Sequence, residues 1–325
     1  MNSLTFKFIA VLRRVAQIVV VIVGSTLFVS LLLQLLPVGL EELYVFALTE
    51  EGRQEQIRLL HLDANPVMFY LYWLGDFVRG DFGSYVYPTG VLDPVAPRLG
   101  AALPISLRLV VYVQIVALAI SIPLGIFTAY RSGRRSDKVI SYGLFTAASI
   151  PNFVFALLLA SFFGVSLAWF PPLGYTAPGD GFVEHLRSMA LPVMALAIPT
   201  VATYTRLLRT DVIATLREDY VTMAASKGLS NRRILFTHVL RPSSVTLFTS
   251  AALNMGALIG GTLVIEQIFS IPGLGSEIGL AIFSRQYFAL QSYVAIIAIG
   301  YVVFNGIVDV AVGFVDPRSR ERSNA

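Results

Sequence analysis

The stretch REDYVTMAASKGLSNRRILFTHVLRP, residues 217–242, decides how this chain is read. It is polar, basic and amphipathic, and it separates two long apolar runs. Membrane helices are usually joined by short turns, so an insert with its own helical pattern points to a docking surface on the basic side of the bilayer. Glu218 and Asp219 open a first helix, where the helix dipole favours anions. Tyr220, Val221, Met223 and Ala224 recur at helical spacing, and Gly228 is placed to cap the helix in a left-handed conformation. Ser230 or Asn231 then starts a second helix over 232–241, with Arg232 and Arg233 in its first turn. Ala224 and Ala225, small residues near Gly228, let the first helix sit deep in a partner's cleft. An amphipathic helix lying on anionic lipid carries the same pattern.

The composition explains what the insert interrupts. The 325 residues are 56% hydrophobic and only 14% charged, against about 25% charged in soluble domains. Mean hydropathy is +0.73. A helix needs about 20 apolar residues to cross the hydrocarbon. Six runs qualify: 15–36, 106–130, 139–168, 189–208, 243–265 and 291–315. The fold class expected is therefore an all-α membrane protein with six transmembrane helices.

The formal charge of +4 is a topology signal here, because the basic residues sit in short loops. Of the 24 Lys and Arg, 17 flank the runs on one side, including Arg131, Arg134, Arg135 and Lys138, seven residues across 206–241, and Arg318, Arg320 and Arg322. Segment 37–104 carries nine acids against four Arg. Both termini and the insert, 209–241, are thus expected in the cytoplasm. Basic Lys7, Arg13 and Arg14 before the first run resemble a signal peptide, but the run is too long and no A-x-A-like site follows, so an uncleaved first helix is expected. With no cysteine, neither disulfides nor thiolate chemistry are available.

Segment 37–105 is too polar to span. It has helical patterns at 52–60 and 66–80 and a dense aromatic stretch around Trp73, of the kind that sits at headgroup level. It reads as a small outer subdomain of short helices. Within the runs, Pro123, Pro151, Pro192 and Pro199 kink helices, and Gly256, Gly260 and Gly261 permit close approach. Interruptions of this kind border substrate paths or reflect the packing of kinked helices. Asp309 is the one full charge well inside a run, with Arg318 or Arg320 as a partner. That scarcity argues against a proton-coupled secondary transporter, which keeps ionisable groups at depth. No phosphate-binding loop, H-E-x-x-H or G-x-S-x-G motif is present, and His61, His185 and His238 are scattered across both sides. No catalytic constellation emerges, and nothing calls for nucleic acid.

At this point the residues resemble a known family. Asp219-Tyr220-Val221, Ala225 and Lys227-Gly228-Leu229 are similar to the cytoplasmic loop of ABC importer permeases of the peptide branch. The glutamate of the general E-A-A triplet is absent, its positions reading Thr222-Met223-Ala224, and Pro242 falls one place late. Trp73-Leu74-Gly75-Asp76, Arg79-Gly80-Asp81-Phe82-Gly83, Ser149-Ile150-Pro151, Glu266, Pro272-Gly273-Leu274-Gly275 and Asp316-Pro317-Arg318 extend the likeness in order along the chain. The chain resembles the B-type permease of dipeptide/oligopeptide importers.

The resemblance implies a type I ABC importer permease fold. Its regions would be a cytoplasmic N-terminus and first helix (1–36), an outer subdomain (37–105), a five-helix core (106–317) and a cytoplasmic tail (318–325). It implies a multi-pass protein of a prokaryotic cytoplasmic membrane that is not itself an enzyme and binds no cofactor. ATP and Mg belong to two cytoplasmic ATPase partners; a second permease completes the path, and an extracytoplasmic peptide-binding protein delivers cargo. Tyr220, Met223, Ala224, Ala225, Lys227 and Gly228 would couple to the ATPases. Glu266, Pro272, Gly273 and Gly275 would form an outer loop near the path. Nickel or another small solute is the alternative cargo on the same architecture.

Overall fold

The computed structural model describes residues 16, 19–32, 54, 57–58, 60–87 and 92–315, with 307–315 by backbone alone. The helical pattern expected at 52–60, most of 37–65 and the tail after 315 lie largely outside these residues, as does the Asp309 side chain. The chain divides into two compact units: 1–105 with 272–302, and 106–271 with 303–325.

In the first unit, helix α1 (Val19–Leu32) is followed by α2 (Pro66–Arg79), begun by Pro66 and an Asn65 side chain that accepts from the Met68 N–H, and ended by left-handed Gly80. The outer segment is not wholly helical. Strands β1 (Ser84–Val86) and β2 (Leu92–Pro94) pair antiparallel, with Tyr85 opposite Asp93. The aromatics of α2 divide by face. Phe69, Tyr70 and Trp73 are buried, and the Trp73 indole donates to Ser292 Oγ at 3.2 Å. Trp73 is thus a core residue of this unit rather than a headgroup anchor, because its N–H finds a buried partner on a distant stretch of sequence.

The same unit holds α11 (Leu274–Phe283) and the start of α12 (Tyr287–Val315). Gln286 acts as a missing strand: its Oε1 accepts from Val86 N at 2.9 Å and its Nε2 donates to Val86 O at 2.8 Å. Glu277 accepts from the hydroxyls of Tyr85 and Tyr293 at 3.2 Å each and from Arg98 Nη1 at 3.3 Å. Burial pushes the Tyr85 hydroxyl up to about 12, so it stays a donor at physiological pH.

Among the described residues, four helices are long and apolar enough to cross a membrane: α3 (Val95–Tyr130), α6 (Phe182–Thr215), the stretch Asn231–Gly261, and Tyr287–Gly306 of α12. The third apolar run is not straight. Helix α4 (Arg135–Ala148) and the helix Asn152–Ser166, which comprises α5 (Asn152–Leu159) and a widened turn, meet at a bend of 100°. Pro151 offers no N–H and disfavours helical backbone at the residue before it, so the run breaks at Ser149-Ile150-Pro151. Counted as one span, this pair makes a fifth.

Helix α6 is the axis of the second unit and packs against α4, α5 and α9 (Leu240–Gly261). It passes through Pro192 and Pro199 unbroken. At Gly125 a Cβ would lie 3.0 Å from Leu208 Cβ, so glycine sets how closely α3 approaches α6. Gln114 crosses the bundle: its Nε2 donates to Ala251 O at 3.2 Å, and its Oε1 accepts from Tyr204 Oη at 3.2 Å. This polar residue therefore ties helices together, which is how a buried amide avoids an unmade hydrogen bond. The fifth run ends at Gly261, and after a turn at Thr262 the short helix α10 (Leu263–Phe269) follows.

Candidate coupling site

The insert folds as a short helix α7 (Asp219–Ser226) and a second segment, α8 (Asn231–Ile234). Two bonds close α7: Leu229 N donates to Ala224 O at 3.3 Å and Gly228 N to Ala225 O at 2.9 Å. This pairing is the Schellman arrangement, and it needs a left-handed residue between. Gly228 supplies it, with φ +76°.

The two faces of α7 differ. Val221 and Ala224 are buried together with Val212, Ile234 and Val239 in one apolar cluster, which Leu229 also joins. Tyr220, Met223, Ala225, Lys227 and Gly228 are exposed. Of the six residues expected to couple, five therefore share the outward surface and Ala224 does not. Its side chain points into the bundle, because position 224 lies three after Val221 on the same helical face. Ala224 seats the helix rather than lining its outer surface. Phe236, 57% exposed next to the insert's basic Arg232 and Arg233, adds a large apolar group that the sequence pattern did not single out. Its neighbours Ile234 and Val239 are buried, and only the structure separates them from Phe236.

The second insert helix does not end near 241. It runs through a widened turn (Leu235–Val239) into α9, so the insert and the fifth span form one continuous rod, Asn231–Gly261. Pro242 is the physical reason for the irregular turn. It has no N–H to give the carbonyl four residues earlier, that of His238. The Tyr220 hydroxyl donates to that carbonyl at 3.4 Å. Burial and the nearby Glu218 carboxylate raise the Tyr220 pKa, which keeps it protonated. Tyr220 thus joins α7 to the base of the rod at the point where proline has opened it.

Beside the insert, Asp137 is buried and Arg209 grips it with two bonds of 2.8 Å, from Nε to Oδ1 and from Nη2 to Oδ2. Gly133 N donates to Oδ2 at 2.9 Å and Ser141 Oγ to Oδ1 at 3.3 Å. Arg209 reads in sequence as one more basic loop residue; in the fold it locks the 131–135 turn to α6.

The outer candidates separate. Glu266 lies fully buried in α10 of the second unit, and its carbonyl accepts from Ile271 N at 2.9 Å. Pro272, Gly273 and Gly275 belong to the first unit, where Pro272 is exposed and the two glycines are buried. Gly273 starts α11, its carbonyl accepting from Glu277 N at 3.1 Å.

Residues 121–321 match the family described as the inner membrane component of binding-protein-dependent transport systems. The chain belongs to this family. It is a multi-pass membrane protein, and within the family its relatives are permeases. The oligopeptide transport system permease AppB of Bacillus subtilis is 33% identical over 311 residues, covering 95% of this chain and 98% of that one. A probable peptide ABC transporter permease, y4tP, of Sinorhizobium fredii is 31% identical over the same shares. The metal-staphylopine import permease CntB of Staphylococcus aureus is 31% identical over 252 residues, 78% of this chain and 77% of that one. Among solved structures, a chain of the inward-facing MetNI methionine ABC transporter superposes with a TM-score of 0.55 at 14% identity, covering 67% of this permease and 96% of that chain. At that identity the likeness concerns the fold, that of type I ABC importer permeases.

Proposed function

We propose that this permease forms half of the translocation path of an ATP-driven importer for oligopeptides or dipeptides. The observation that carries the reading is the seating of α7: Val221 and Ala224 are buried in the bundle, while Tyr220, Met223, Ala225 and Lys227 stay exposed around that stripe. Two cytoplasmic ATPases, holding ATP and Mg, dock on those exposed residues. When they close, α7 moves as a rigid piece, and the continuous Asn231–Gly261 rod carries the displacement into the bundle. A second permease completes the path. An extracytoplasmic binding protein delivers peptide to the outer subdomain (37–105) and to the 266–290 surface, where Pro272 is exposed. The regions 1–36, 37–105, 106–317 and 318–325 are the working divisions, with both termini cytoplasmic.

The peptide reading rests on relatives that match nearly the whole chain and are named for peptide transport. The CntB match favours a metal chelate as the second cargo class. Uptake of labelled peptides of two to about eight residues, in cells with and without the gene, decides between them. Loss of uptake restored by the intact gene supports the peptide reading. Unchanged peptide uptake with lost uptake of a metal chelate replaces it. Gly228→Glu is expected to reach the membrane normally and to leave ATP hydrolysis uncoupled from uptake; normal transport by this variant would remove the docking assignment.

A further inference from the structure

A cavity of about 580 Å3 opens between α4 and α6 in the second unit. Its lining is graded along the two helices. Towards the Asp137–Arg209 end lie Ser141, Tyr142, Thr205 and Arg206; away from it lie Phe145, Ala148 and Ala202, with the Ser149 and Thr203 hydroxyls donating back to the Phe145 and Pro199 carbonyls one turn earlier. Arg206 is exposed, and among the described residues it has no carboxylate partner. Arg209 commits Nε and Nη2 to Asp137, and Nη1 takes no part in that grip. The adjoining turn adds exposed Arg131, Arg134, Arg135 and Lys138 at the same end.

We propose that this cavity holds one acidic phospholipid of the cytoplasmic leaflet. The phosphate sits on Arg206 and the Nη1 of Arg209, and an acyl chain follows Phe145 and Ala202. Basic pockets between membrane helices on the cytoplasmic side suit anionic headgroups. The charge gradient and the apolar extension distinguish a lipid from a peptide. A peptide carboxylate would match the arginines, but its backbone N–H and C=O groups would face mostly Phe145, Ala148 and Ala202, beside two hydroxyls whose protons are already given to helix carbonyls. The mouth of the cavity is flanked by Tyr142 and Phe145, 69% and 67% exposed, which gives a lipid an apolar approach. The inference is independent of the peptide reading and needs only the cytoplasmic placement of the basic loops.

Native mass spectrometry of the purified importer tests it, with phosphatidylglycerol and phosphatidylcholine supplied in equal amounts. The expected result is selective retention of phosphatidylglycerol, weakened about five-fold in Arg206→Gln, the effect of one surface cation on an anionic lipid. Ala202→Phe, which fills the apolar end, should displace the lipid while leaving Arg206 in place. Equal retention by wild type and both variants overturns the proposal. Displacement of the lipid by a short peptide with a free carboxylate also overturns it, by making the cavity a cargo site. So does lipid bound to this chain alone but excluded from the assembled complex, which makes the cavity part of a subunit interface.

Discussion

Removing Arg209 should cost more than removing the residue it pairs with. The Asp137 side chain is only 4% exposed, whereas that of Arg209 is 28% exposed. In Arg209→Met the carboxylate stays buried with Gly133 N–H and the longer Ser141 contact as its remaining donors. Leaving a buried charge unpaired costs about 3–5 kcal/mol. In Asp137→Asn the buried charge is gone, the amide oxygen still accepts from Gly133, and Arg209 turns its charge to water. The loss is then that of charge-assisted bonds, about 1.5–3 kcal/mol. The double variant has no buried charge and should be no worse than Asp137→Asn alone, so the coupling equals the Arg209→Met cost, about 3–5 kcal/mol. At about 2–4 °C per kcal/mol, Arg209→Met should lower the melting midpoint by about 10 °C, with the double variant recovering about half of that. The assay is size-exclusion chromatography of detergent-purified protein heated in steps. Equal effects of the two single variants that add in the double would refute the reasoning, because that is how an exposed ion pair behaves.

Tyr220→Phe should remove the bond to the His238 carbonyl that Pro242 leaves open, costing about 0.5–1 kcal/mol; the expected readout is faster amide exchange across 235–239 with membrane insertion unchanged. Ala224→Leu, which overfills a packed site, should destabilise the insert by about 1–3 kcal/mol, while Ala225→Leu, one residue on and exposed, should leave the melting midpoint within about 0.5 kcal/mol and instead lower uptake per ATP hydrolysed. Indistinguishable melting of the two alanine variants would mean the assigned faces are wrong. Gln286→Ala strips both partners from the fully buried Val86 backbone, at about 1–3 kcal/mol for each orphaned group; protease cleavage near 84–94 should become several-fold faster, and unchanged cleavage would show that the hairpin does not depend on that amide.

The membrane character, the apolar runs, the amphipathic insert and its capping glycine were all legible in the sequence. Each is a local property: composition over one helix length, periodicity over two turns, or a residue whose backbone freedom is intrinsic. The break at Ser149-Ile150-Pro151 was local too, since proline acts on its own neighbours, although its 100° bend was not. What only the tertiary structure decided was pairing at a distance. Nothing near Asp137 in sequence announces Arg209, and nothing near Val86 announces Gln286. Trp73 looked like an interfacial aromatic until Ser292 supplied a partner for its indole. The same holds for the two alanines of the insert. Both suit a close-packed helix, and helical period alone does not say which face the bundle takes, because an amphipathic stripe of small residues can bury against its own chain or against a partner. The apolar cluster that holds Val212, Ile234 and Val239 settles it by taking in Ala224 and leaving Ala225 outside.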